Sequence, residues 1–146
     1  MEMTEETQER EHFYDKEEKA AAVRLRAVFG LEEDAPLLGL NGRSLELLYD
    51  HLLNQVTFPF RGEYKLGEGP QAEIADAIVD GLMEFDETPD LLLHGLVCLA
   101  RINTEDGMQG MKVPLAEIVI SQEDPSYDLV EDYCIWFWDQ YSSREI

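Results

Sequence analysis

The chain is poor in positive charge: 11 Lys and Arg stand against 32 Asp and Glu, a formal net charge of -21 over 146 residues. Phosphate recognition draws on a basic stripe, and none is visible, which argues against nucleic acid and against an anionic membrane surface as partners. Cysteine is scarce, with only 2 in the chain. Cys98 and Cys134 both lie in apolar surroundings, so buried free thiols in a reducing cytoplasm are expected, a disulfide being the alternative. Long apolar runs are missing too, and none approaches the ~20 residues of a membrane span. Met1-Glu2-Met3-Thr4-Glu5-Glu6 has neither the basic nor the apolar region of a signal peptide. The expectation is a soluble cytoplasmic protein with one folded domain over residues 12–146, preceded by a frayed acidic segment over 1–11.

Enzyme signatures are also lacking. There is no nucleophile elbow, no glycine loop to cradle phosphate and no paired-histidine zinc motif. His94 and Cys98 are four residues apart, which on a strand separates them by about 13 Å, too far for a catalytic pair. His12 and His51 fall in helical patterns. Two isolated cysteines and 3 histidines supply none of the close ligand pairs that structural zinc uses. The chain reads as a non-enzyme. A hydrolase built on paired carboxylates has no support beyond the number of acids.

What is present is a foldable core. The chain is 45% apolar, and Tyr133-Cys134-Ile135-Trp136-Phe137-Trp138 is a dense aromatic run of a kind that disordered acidic tails lack. Ala21, Leu25, Val28 and Phe29 predict a helix over 12–29, closed by Gly30. Leu45, Leu48, Tyr49, Leu52, Leu53 and Val56 trace a second helix, with Ser44 as its expected cap. Residues 57–64 read as a strand with Pro59 at an edge or an entrance. Residues 71–85 fit a helix or a strand, and either period puts Asp76, Asp80 and Glu84 on a common face. Residues 91–102 read as a strand, Asn103 to Gly107 as a turn, and Met111 to Leu115 as the returning partner of a hairpin. Asp128 and Glu131 have the spacing of a capping box for a last helix, with Trp136 and Phe137 as core anchors and Trp138 partly exposed. The fold class is α+β, a small antiparallel sheet flanked by N-terminal helices and a C-terminal helix.

A folded surface this negative calls for cations or basic partners. Calcium suits it best, because it accepts six to eight oxygens in irregular geometry, whereas magnesium demands a tighter octahedron. No EF-hand is present. In the register starting at Asp106, Met108, Gly110 and Met111 fail the interior positions. In the register starting at Asp86, Leu91 replaces the glycine and Val97 the final glutamate.

Four short motifs occur in order: Phe58-Pro59-Phe60, His94-Gly95-Leu96-Val97, Val113-Pro114-Leu115-Ala116-Glu117-Ile118, and Glu131-Asp132-Tyr133-Cys134-Ile135-Trp136-Phe137. Together they resemble the small calcium-binding family named for the cyanobacterial protein CcbP, over about residues 45–140. The resemblance implies an α+β domain with a small sheet, for which a barrel-like closure is one option, and a strand over 76–83. It also implies calcium held by acidic surface patches. The chain departs from the family pattern at Arg61, where an acid usually follows Phe-Pro-Phe. It departs again at Glu117 and Val119, which stand where the family has Asp and Glu.

The candidate metal ligands are therefore Glu63, Asp80, Glu84, Glu117, Asp128, Glu131 and Asp132. Asp80 and Glu84 belong to the densest local cluster, with Asp86, Glu87 and Asp90, although a charge run is usually a solvated face. For Asp128, Glu131 and Asp132 the competing role is capping and a favourable interaction with the helix dipole. The expected function is a calcium buffer or sensor without EF-hands. The alternative is an acidic interaction module that docks a basic protein partner without specific metal binding.

Overall fold

A computed structural model describes residues 19–144; the expected frayed segment 1–11 and the start of the first helix lie outside the described residues. Helix α1 runs over the described residues 19–29. Its face of Ala21, Leu25 and Phe29 is buried, and it ends at Gly30 with φ 70°. Leu31 N–H reaches Arg26 O and Gly30 N–H reaches Ala27 O, the paired bonds of a Schellman close.

Helix α2, Gly42–Gln55, is capped by Asn41 rather than by Ser44. Asn41 Oδ1 accepts from Ser44 N–H at 2.9 Å, and Ser44 Oγ accepts from Asn41 N–H at 3.1 Å. Ser44 is the returning half of the box, three residues inside the helix. Its hydroxyl also donates to Gly39 O at 2.7 Å, which satisfies a buried polar group.

Five strands follow: β1 Phe60–Leu66, β2 Glu73–Leu82, β3 Val97–Thr104, β4 Gly107–Pro114 and β5 Ile118–Ile120. They form one antiparallel sheet in the order β4-β3-β2-β1-β5. Its outer strands do not pair with each other, so the sheet is open and not a barrel. The ambiguous stretch is a strand because β2 finds ladder partners on both sides. Ala75, Ala77 and Val79 then point into the core, leaving Ile74, Asp76 and Asp80 outward. Pro59 lies at the entrance of β1, after a cis Phe58–Pro59 bond. The β3–β4 hairpin is present, with Thr104 opposite Gly107.

The strand expected over 91–102 begins only at Val97. Leu91–His94 is a single helical turn, α3, bounded by Asp90 at φ 48° and Gly95 at φ 70°. Those left-handed residues interrupt an extended run that apolar composition alone suggests. Gly95 is also sterically required: a Cβ there would strike Tyr133 Oη and come within 2.7 Å of a Phe137 ring carbon.

Helix α4, Tyr127–Arg144, lays the aromatic run across the core. Tyr133, Trp136 and Phe137 are buried. Tyr133 Oη accepts from Leu96 N–H at 2.8 Å, and Trp136 Nε1 donates to Leu38 O at 2.9 Å. Trp138 is 44% exposed, yet its ring N–H donates to Ala116 O. Asp128 is not the cap, because the helix has already begun at Tyr127. The start is fixed instead by Ser126, whose carbonyl accepts from Val130 N–H while its buried hydroxyl accepts from Thr57 N–H at 3.1 Å. Among the described residues, the helices cover one face of the sheet and leave the other to solvent. Among the described residues no helix is long and apolar enough to cross a membrane.

Candidate functional site

The seven candidate ligands do not gather at one point. Glu63 stands on the solvent face of β1. Asp80 lies on the same face at the β2 irregularity, where Arg101 grips it with two bonds of 2.9 and 2.8 Å. That guanidinium holds the Asp80 carboxyl below its ordinary value. Glu84 is exposed just before a short 3₁₀ turn, Phe85–Glu87, and its carbonyl accepts from Thr88 Oγ1. Glu117 is exposed at the end of the 3₁₀ turn Leu115–Glu117; burial first, and its charge second, raise the Tyr64 hydroxyl.

The three candidate acids of α4 separate by helical geometry. Asp128 faces water in the first turn, where it complements the helix dipole. Glu131 is half-buried. Asp132 is buried and is bound by Arg24 of α1 through bonds of 2.6 and 2.8 Å. Its oxygens tie the N-terminal helix to the last one. Next to this pair, burial lowers the His51 imidazole, while the Asp132 charge pulls it back up.

Among the described residues, no three Asp, Glu, His or Cys side chains converge closely enough to hold a bare metal ion. The nearest approach to an oxygen-rich surface is at one end of the sheet. Glu63 and Asp76 are direct cross-strand partners in the β1–β2 ladder, and both are exposed. Asp76 also lines a shallow depression with Glu73, Asn103, Glu105 and Asp106, contributed by the start of β2 and the β3–β4 turn. Its other side opens on a second depression shared with Glu63 and Glu123. Of the seven candidates, only Glu63 belongs to this surface. Asp76 had a sequence signal, its common face with Asp80, but its partnership with Glu63 depends on the ladder register. Arg61 and Val119, the departures from the family pattern, line the same second depression.

The thiols have a different character. Burial pushes Cys98 up to about 12 and raises Cys134 as well, so neither is a ready nucleophile near neutral pH. Both are free and buried. His94 ends the α3 turn while Cys98 points into the core from β3, so they do not share a strand face.

Among solved structures, the chain is similar to the crystal structure of Anabaena CcbP, with a TM-score of 0.47 and 18% sequence identity over 73% of this chain and 80% of that chain. No family model matches the chain, and no curated protein matches it.

Proposed function

We propose that this protein binds calcium weakly, as a buffer or sensor, at the acidic end of its sheet. One observation carries the reading: Glu63 and Asp76, two exposed carboxylates, stand directly opposite each other in an antiparallel ladder. Like charges so placed destabilise the pair by up to about 1 kcal/mol, which a cation between them offsets. The surrounding donors are hard oxygens: the carboxylates of Glu73, Glu105 and Asp106 and the amide oxygen of Asn103. That chemistry suits calcium and suits zinc poorly. The open geometry favours a partly hydrated ion, with Glu63 and Asp76 supplying the charge and water completing the shell. Sites of low rigidity fall at dissociation constants of about 10⁻⁴ to 10⁻³ M. The ordered sequence motifs point to the same ligand class, and the net charge of -21 adds long-range attraction for any divalent cation.

The test is a calcium titration of chelator-stripped protein followed by amide chemical shifts and melting temperature. Shifts centred on residues 63, 76 and 103–106 are expected, with stabilisation greater than sodium gives at equal ionic strength. The Glu63→Gln, Asp76→Asn double variant should weaken binding about tenfold, a change of about 1.4 kcal/mol. Equal melting in calcium and sodium would reject the proposal. It would favour an acidic surface that docks a basic protein, whose binding would depend on salt and not on divalent ions.

A further inference from the structure

The solvent face of the sheet has a charge unlike the rest of the molecule. Every Lys and Arg between residues 44 and 143, namely Arg61, Lys65, Arg101 and Lys112, is exposed on it. The strands present only three acids outward there, Glu63, Asp76 and Asp80. Four cations less three anions leave the strands of this face at +1, and Glu105, Asp106 and Glu123 of the adjoining turns bring the surface to -2, on a chain whose total is -21. Large apolar side chains share the face: Ile74 is 62% exposed, Val119 63%, Met108 48% and Leu99 40%. The register sets them beside charged neighbours, Val119 across from Glu63, Ile74 from Lys65 and Leu99 from Lys112. An aliphatic residue flanked by a long charged side chain is a common composition for an interface that must also remain soluble.

We propose that this face is a self-association surface, on which a second copy of the chain packs sheet to sheet. Charge selects that occupant. Anywhere else two copies meet acid to acid, whereas here the strands bring both signs together at low net charge. Because both signs are present, a two-fold contact can set Arg61 and Lys65 of one copy against Glu63 and Asp76 of the other. Five strands about 4.8 Å apart, with seven or so residues of about 3.3 Å each, offer a flat area of roughly 600 Å². A standard interface buries about 800 Å² per partner, so this contact falls at the small, weak end of specific interfaces. Salt strengthens it by screening the repulsion between the remaining acidic surfaces. Glu63 and Asp76 are also the calcium ligands proposed above, so a bound ion competes with the contact and association is tested with that ion chelated.

Sedimentation velocity of the full chain, with chelator present and about 0.3 M sodium chloride to shorten the screening length to about 5 Å, should show a monomer–dimer equilibrium up to about 1 mM protein. Arg61→Glu with Lys65→Glu turns the strands of this face from +1 to -3 and should weaken association at least about tenfold. Lys19→Glu with Arg43→Glu makes the same change in total charge away from the face and should leave most of it. Amide shifts of the wild-type chain on dilution, confined to the outward residues of the five strands, provide a readout that needs no variant. A wild-type chain that stays monomeric at about 1 mM overturns the proposal, as do equal losses in the two double variants or dilution shifts on the helices. Failure of the calcium titration leaves this result unaffected, so the two proposals fail separately.

Discussion

The Arg24–Asp132 pair joins the first and last helices, and its two halves differ in exposure: the Arg24 side chain is 46% accessible and that of Asp132 only 9%. That difference predicts an unequal response to neutralising either partner. In Arg24→Met the aliphatic stem is kept and the charge removed, leaving Asp132 as a largely buried carboxylate without its guanidinium. Uncompensated buried charges of this kind cost about 3–5 kcal/mol, and the low end applies because one partner reaches solvent. In Asp132→Asn the guanidinium can turn to water, and the loss is that of a part-exposed bond, about 1 kcal/mol. At this chain length 1 kcal/mol moves the melting temperature by about 2–4 °C, so falls of about 6–12 °C and 2–4 °C are expected. Urea unfolding at neutral pH gives both free energies, provided the m-values agree with wild type. Equal losses, or a larger loss in Asp132→Asn, would refute the assignment of the buried charge as the costly half. A double-mutant cycle should return a coupling of about 1–3 kcal/mol.

Two further outcomes follow from the core and its edge. Gly95→Ala combines a φ of 70° with a Cβ placed against Tyr133 Oη and the Phe137 ring, so a loss of about 3 kcal/mol or more is expected in urea unfolding; a loss below about 1 kcal/mol would mean that α4 can move aside. Burial lowers the His51 imidazole below 6.5. The unfolded chain therefore takes up its proton at a higher pH than the folded chain does. His51's contribution is complete above about 6.5, declines as pH falls through that value, and levels off below the folded value. In His51→Gln the stability difference from wild type should follow that curve, and a difference independent of pH would show that burial does not control the imidazole.

The sequence and the structure agree where local physics dominates. The stripe of Leu45, Leu48 and Leu52 and the turn residues before Gly107 act over a few residues, so helix α2 and the hairpin were legible in the sequence. The misplacements are local competitions settled by neighbours. Asn41 outcompetes Ser44 because Ser44 is needed as the returning half of the box. Leu91–His94 turns helical because two left-handed residues flank it. Pattern alone could not choose between helix and strand for residues 73–82; pairing on both sides by β1 and β3 did.

The sequence by itself determined the composition-level facts: an α+β chain of net charge -21, with a buried aromatic C-terminal helix and no EF-hand loop. These follow from residue counts and short periods, which survive any packing. Only the tertiary structure decided which acids are neighbours. Asp80 went to Arg101 and Asp132 to Arg24, while Glu63 met Asp76 across a ladder. The same sheet gathered four cations onto one open face. Strand register and helix docking bring together residues far apart in the chain, and the number of acids says nothing about which of them will meet.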